Sequence, residues 1–175
     1  MPVTEQPYPV DFESIFACLN ATGVRYVCVG GIAVVLHGVD RLTADLDLVI
    51  ELTPESTRKA IEALLATGFR AKIPADPCGF ADPETRRAWI RDKHMQVLSF
   101  WDTTRTRPDV DIFVEYPLDF ETLYNQSVPV KLRRGTCRIA SVEHLIQMKL
   151  KAGRTKDLKD IEELQERENI RKDSE

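Results

Sequence analysis

The sequence predicts an α/β domain: a small mixed β-sheet with flanking helices, followed by a C-terminal helical hairpin. Three observations predict it. Short apolar runs at 25–29, 45–51, 95–101 and 110–116 have strand length and strand composition, and segments with helical apolar spacing lie between them. Glycines and Ser, Thr or Asp caps mark the boundaries. The 175 residues, 43% hydrophobic and 30% charged, suffice for one such core with a short appendage.

The elements follow in chain order. Residues 1–10 hold three of the ten prolines and read as a loose arm. Asp11 is placed to cap a helix over about 11–22, with Phe12, Ile15, Phe16 and Leu19 on one stripe and Gly23 ending it. Residues 25–29 form a buried strand, and Gly30-Gly31 leads directly into a short buried helix ending at Gly38. Residues 45–51 alternate as a second strand. Thr53-Pro54 starts a helix to about Thr67 that turns Ala60, Ile61, Leu64 and Leu65 inward. A short strand is expected over 69–73, a loop over 74–82, and then a basic helix or loop carrying Arg86, Arg87, Arg91 and Lys93. Residues 95–101 and 110–116 pair as an antiparallel hairpin, 120–125 makes a helical turn, and 128–133 pairs with 136–140 around Arg134-Gly135. Ser141 caps a helix through Ala152, Gly153 breaks it, and Thr155 caps a last helix to about Glu168. The chain therefore reads as one domain, with a core at 24–140, a hairpin at 141–168 and a frayed tail at 169–175.

Composition excludes several classes. The net charge of −4 rules out a bulk nucleic-acid coat, so an anionic partner must meet a local patch. Cys18, Cys28, Cys78 and Cys137 lie far apart, with no C-x-x-C pair and three histidines in all, which excludes a zinc-type cluster and fits reduced thiols. The first residues lack a signal peptide's basic start and apolar core, and the longest apolar stretch, 26–39, is too short for a bilayer. A cytoplasmic protein without a membrane partner is expected.

The chemistry concentrates in 29–51. On a strand, residues i and i+2 share a face, so Asp45 and Asp47 stand side by side at a Cα spacing of about 6.5–7 Å while Leu46, Leu48 and Ile50 face the core. Two such carboxylates are stable together when solvated, protonated or holding cations, and a pair of Mg²⁺ ions suits them. Gly30-Gly31 stands where a buried strand meets a helix, so the backbone there can turn tightly and approach a ligand, with N–H groups offered to phosphate. Neither G-x-G-x-x-G nor G-K-[ST] is present, which excludes a Rossmann dinucleotide site and a P-loop.

An apolar strand, G-G, thirteen intervening residues and then D-L-D-L resembles the signature of the nucleotidyltransferase superfamily, the DNA polymerase β-like fold. The longer pattern G-G-x-A-x-x-x-H-G-x-x-R-x-T-x-D-x-D is similar to a compact bacterial branch that includes AbiE-type toxin nucleotidyltransferases, and LIQMKLKAGRTKDLKDIEEL resembles the region after that branch's core. The resemblance implies a third carboxylate on a later strand. Asp111, set between apolar neighbours, is assigned that role, with Asp109 the runner-up. It further implies two Mg²⁺ ions, one held by Asp45, Asp47 and Asp111 and one by Asp45 and Asp47, with an NTP such as ATP as co-substrate.

The supporting residues are Gly30, Gly31, Arg41, Thr43, Lys149, Lys156 and Asp157, all expected around the nucleotide. Arg41 and Thr43 match the branch's R-x-T; Arg41 meets a phosphate or pairs with Asp40 or Asp45. His37 reads as a hydrogen-bonded core histidine. Lys149 shares a stripe with Val142, Leu145, Ile146 and Ala152 and so needs an anion, either the triphosphate or a site aspartate. Asp157 shares a face with Ile161 and Leu164 and orients Lys149 or Lys156, or contacts the base or ribose. From 128 to 159 there are nine Lys and Arg against two acids, a charge block expected to border the site and, with the basic segment at 86–93, to hold an RNA or tRNA acceptor. The expected activity is Mg²⁺-dependent transfer of a nucleoside monophosphate to a hydroxyl, as a toxin acting on RNA. Its alternatives are a small-molecule, aminoglycoside-type enzyme and an antitoxin-like chain that acts on or binds a partner protein.

Overall fold

The alternation read from the sequence builds seven strands: β1 Tyr26–Val29, β2 Asp45–Ile50, β3 Phe69–Ala71, β4 Val97–Asp102, β5 Asp109–Phe113, β6 Val128–Leu132 and β7 Gly135–Ile139. Helices among the described residues are α1 Glu13–Thr22, α2 Gly30–Leu36, α3 Pro54–Ala66, α4 Pro83–Lys93, α5 Phe120–Asn125, α6 Val142–Ala152 and α7 Thr155–Asp173. The structure is a computed structural model that describes residues 11–174, so the arm expected over 1–10 lies outside the described residues. No helix among the described residues is long and apolar enough to cross a membrane.

The strands form one sheet in the order β3-β4-β5-β2-β1-β7-β6. It is mixed: β2 runs antiparallel to β1 and parallel to β5, β1 is parallel to β7, and the remaining neighbours are antiparallel. Ile15, Phe16 and Leu19 of α1 join Ala60, Ile61 and Leu64 of α3 and the strand residues Val27, Leu46, Leu48, Val110 and Ile112 in one core, each at most 1% exposed. Burying side chains of this size contributes about 1.5–3 kcal/mol each against a large ordering cost.

Local chemistry accounts for the boundaries. Asp11 accepts the Ser14 N–H at 3.1 Å, Thr53 caps α3 at Ser56 N–H, and Ser141 caps α6 at His144 N–H. The β4–β5 turn is organised by Asp102, a residue at 1% exposure that accepts the N–H groups of Thr104, Thr106 and Arg107 and the Arg107 guanidinium at 2.7 Å. Burial alone would raise this carboxyl, but Arg107 and the threonines hold it well below the usual range. That turn fixes where β5 starts, and hence where Asp109 and Asp111 stand.

Four expectations change. Thr155, expected to cap the last helix, is instead its first residue, and Arg154 stands at the cap position with no side-chain cap bond. The glycine pair lies inside α2 as its first two residues. The expected loop contains a 3-10 turn, Pro77–Ala81, capped by Asp76. The tail from 169 does not fray at once: α7 continues to Asp173, helped by i,i+4 pairs Lys159–Glu163 and Lys172–Glu168 and by Arg171 and Lys172 in its last turn, where cations oppose the helix dipole.

Candidate active site

The parallel pairing of β2 with β5 sets Asp45 beside Asp109 and Asp47 beside Asp111. Neighbouring strands lie about 4.8 Å apart, so four carboxylates occupy one small patch of the sheet. Their neighbours Leu46, Leu48, Val110 and Ile112 point the other way and are fully buried. The four differ in what they hold. Asp109 accepts an ion pair from Lys72. Asp111 accepts the Ser99 hydroxyl at 2.5 Å from the opposing position on β4. Asp47 faces Asp111 and Asp45: burial first, then those two charges, pushes its carboxyl up to about 7. Asp45, more exposed, is raised by burial, Asp111 and Asp109.

Gly30 and Gly31 sit against these side chains. Val29 pairs with Asp47 across β1 and β2, so the next residue meets the Asp47 carboxyl. A Cβ on Gly30 would lie 2.8 Å from Asp47 Cγ, and Gly30 has φ +65°. A Cβ on Gly31 would lie 2.8 Å from the Thr43 Cβ. The glycines thus make room for Asp47 and Thr43, a closer constraint than the tight turn read from the sequence. Gly30→Ala is expected to lower the melting temperature by several degrees, since left-handed strain alone costs about 1–2 kcal/mol, and to displace Asp47. Thermal melts with an NTP-binding assay would check this; an unchanged melt would show the crowding to be relieved elsewhere.

Opposite this patch stands a cationic wall from α6 and α7. A cleft of about 760 Å³ lies between them, bordered by Gly30, Gly31, Asp45, Asp47 and Asp111 on one side and Lys149, Lys151, Arg154 and Lys156 on the other. Lys149 is 7% exposed and donates to Asp157 at 3.1 Å and Asp160 at 2.8 Å. Arg154 donates to Asp157 at 2.8 Å, and Arg41, from the α2–β2 connection, reaches Asp160. Burial alone would raise the Asp157 carboxyl; hydrogen bonds from Arg154 and Lys149 outweigh it and hold the group low. Thr43 borders the cleft, its hydroxyl 3.4 Å from the Asp45 carbonyl, and Lys156 is exposed at the rim. Asp160, like Ser99 and Lys72, is a residue that the sequence reading missed. It lies with Asp157, Ile161 and Leu164 on the buried stripe of α7, and two acids on an apolar stripe facing Lys149's stripe were its visible signal.

Other candidates lie elsewhere. His37 is half-buried and 2.8 Å from the Ala140 carbonyl, and burial lowers its pKa, as befits a core histidine. The basic residues of α4 stay outside the cleft: Arg86 bonds the Phe80 carbonyl at 3.0 Å, Arg87 pairs with Glu84 and Arg91 with Asp92. Arg133 and Arg134 form the β6–β7 turn, before β7, which runs parallel to β1. The cleft opens beyond the end of β1, so this turn is at the other end of the sheet, with Arg134 on Asp11 at 3.1 Å. The basic block at 128–159 therefore borders the cleft only through its α6–α7 half.

Carboxylate oxygens are hard donors of the kind that Mg²⁺ takes. No group of three or more His, Cys, Asp or Glu is closed as a ligand set among the described residues. The raised Asp47 carboxyl, facing Asp111 and Asp45, marks a repulsion that a cation would relieve. The donor set fits a divalent cation.

No protein-family model matches the chain, and no curated protein matches it. Solved structures do. A lincosamide antibiotic adenylyltransferase, LnuA, in its lincomycin-bound form is similar at 17% identity and a TM-score of 0.57, covering 89% of this chain and 97% of that one. The antibiotic-resistance factor ANT(2'')-Ia is similar at 14% identity and a TM-score of 0.57, covering 87% of this chain and 79% of that one. With the carboxylate-bearing strands, the glycine pair and the helical hairpin in place, the chain has the fold of the nucleotidyltransferases.

Proposed function

We propose that the protein is a metal-assisted nucleotidyltransferase, moving a nucleoside monophosphate from an NTP to an acceptor hydroxyl. The observation that carries the reading is the in-register pair of acidic strands beside Gly30-Gly31, facing a cationic wall across one cleft. Asp45, Asp47 and Asp111 are the residues to hold Mg²⁺, which when bound neutralises the triphosphate and lowers the pKa of the attacking hydroxyl. Lys151, Arg154 and Lys156 at the rim supply positive charge to the phosphates, while Lys149 holds Asp157 and Asp160, the two aspartates that anchor Arg154 and Arg41. Gly30 and Gly31 leave the floor open. The hydroxyl oxygen bonds to the α-phosphorus, the bond to pyrophosphate breaks, and the hydroxyl proton passes to a carboxylate of the site.

For the acceptor, a small organic hydroxyl compound is the reading best supported. Besides the carboxylates and cations, the cleft is lined by Phe113, Tyr116, Pro117 and Met148, apolar and aromatic surface of the kind that small organic ligands use, with Glu115 as an anionic group. LnuA, which this chain matches over nearly its whole length, is named for a small antibiotic. The RNA-directed toxin reading rests on cations that lie mostly outside the cleft, and the antitoxin-like reading on a partner chain.

The test is to incubate the protein and Mg²⁺ with each α-labelled NTP and either total RNA or a panel of neutral and cationic small hydroxyl compounds. Label on a small compound supports the reading, label on RNA moves the acceptor to the toxin class, and label on nothing with any NTP overturns transfer. Asp111→Asn is expected to lower transfer by about 10²-fold or more, and Asp109→Asn by severalfold at most, because Asp109 already holds Lys72. Initial rates of the two variants decide it; the reverse order would give the third-carboxylate role to Asp109.

A further inference from the structure

Asp45, Asp47, Asp109 and Asp111 form a two-by-two array, two on each of two parallel strands in register. In the sequence only its apolar flanks mark out Asp111 over Asp109 as a partner for the β2 pair. The neighbours on the other side of β5 separate the two in space. Ser99, opposite Asp111 on β4, donates its hydroxyl to Asp111, which holds that carboxylate without cancelling its charge. The carbonyl of the same Ser99 accepts the Lys72 N–H at 2.8 Å and fixes the chain just beyond β3. From there the Lys72 side chain, 46% exposed, reaches the Asp109 carboxylate, itself 26% exposed. One β4 residue thus secures both the carboxylate left charged and the cation that neutralises the other.

We propose that Lys72 is a positioning residue that keeps Asp109 out of the divalent-cation ligand set and so holds the number of available carboxylates at three. The proposal rests on the metal reading above. Without Lys72, Asp109 stands beside Asp45 with no paired cation, at the spacing that Asp111 keeps from Asp47. A fourth carboxylate would tighten the ion and add negative charge where a triphosphate must enter.

The experiment measures Mn²⁺ binding to the full chain by electron paramagnetic resonance, without nucleotide. It compares wild type, Lys72→Met, Asp109→Asn, the double variant, and Asp47→Asn as the site control. All the substituted side chains are at least partly exposed, and a thermal melt of each checks folding. Lys72→Met is expected to bind Mn²⁺ roughly tenfold tighter. Asp109→Asn should cost about threefold or less in the wild-type background and remove the whole gain in the Lys72→Met background, so the two substitutions are strongly non-additive. Equal effects of Asp109→Asn in both backgrounds would show Lys72 acting as a distant charge only and overturn the proposal. Unchanged affinity in Lys72→Met, with wild type binding Mn²⁺ and Asp47→Asn losing it, overturns the role of Lys72 and leaves the metal reading intact. Absence of Mn²⁺ binding in both wild type and Lys72→Met overturns the two together.

Discussion

Asp47→Asn is expected to lower nucleotidyl transfer by about 10²–10³-fold or more, the loss seen when a group that stabilises charge at a transfer centre is removed, while making the metal-free protein more stable at neutral pH. The second half follows from the raised carboxyl. Asp47 titrates at about 7 in the folded chain because it is buried and faces Asp111 and Asp45, whereas its ordinary value is 3.8. Below about pH 4 the carboxyl is protonated in both folded and unfolded chains, and it costs nothing. Between 4 and 7 the unfolded chain ionises while the folded one resists, so stability from this group falls as pH rises, and the full penalty stands above 7. Asparagine removes the penalty. At pH 8 the variant should melt about 4 °C or more above wild type, since 1 kcal/mol is worth about 2–4 °C in a domain of this size. At about pH 3, where the carboxyl is protonated in both states, the two should melt together. Melting curves at both pH values, in chelator, test it; an equal offset at the two would mean that packing and not charge separates them.

The sequence carried much of the fold because its signals here are local. Alternation placed β1, β2 and β5 to within a few residues, and Thr53, Asp82 and Ser141 each bond where a capping residue should. The two acidic pairs were visible for the same reason, as a period-2 pattern needs no knowledge of neighbours. The β4–β5 and β6–β7 hairpins were legible too; what the sequence did not carry is pairing between strands far apart along the chain. That β5 lies parallel to β2, with Asp47 opposite Asp111, is set by long-range register, and a single sequence has no term for it. Ser99 and Lys72 were invisible because each is ordinary in its own segment and acquires a role only beside β5. Arg133 and Arg134 show the converse error: closeness along the chain to Lys149 suggested closeness in space, and the direction of β7 sends that turn to the other end of the sheet. Asp160 was legible in part, since an acid on an apolar helical stripe must meet a cation, but Arg41, 119 residues away, was not a partner that spacing could name.

Lys149→Met is expected to destabilise the protein by about 3–5 kcal/mol, the cost of removing one partner from a buried ion pair. From the sequence, Lys149 needs either the triphosphate or a site aspartate; the structure gives it two aspartates, Asp157 and Asp160, each under 10% exposed. Methionine would fill the space of the lysine stem and leave two carboxylates facing one another, three residues apart on α7, with Arg154 and Arg41 as their remaining partners. In a domain whose whole stability is about 5–15 kcal/mol this is a large fraction, and the melting temperature should fall by roughly 6–20 °C. The sign with pH is opposite to that of Asp47. Asp157 is held below its ordinary value, so its contribution is present above about pH 4 and disappears as pH falls further. Adding Asp160→Asn to Lys149→Met should recover part of the loss, because the second substitution removes a charge that the first left unpaired, and the two costs should sum to clearly more than that of the double variant. Denaturant melts of the three variants measure this coupling directly. Nucleotide binding should weaken along with stability, since Arg41 and Arg154 are anchored by the same two aspartates. A Lys149→Met protein as stable as wild type that has lost NTP affinity would instead return the lysine to the triphosphate and leave Asp157 and Asp160 to the two arginines.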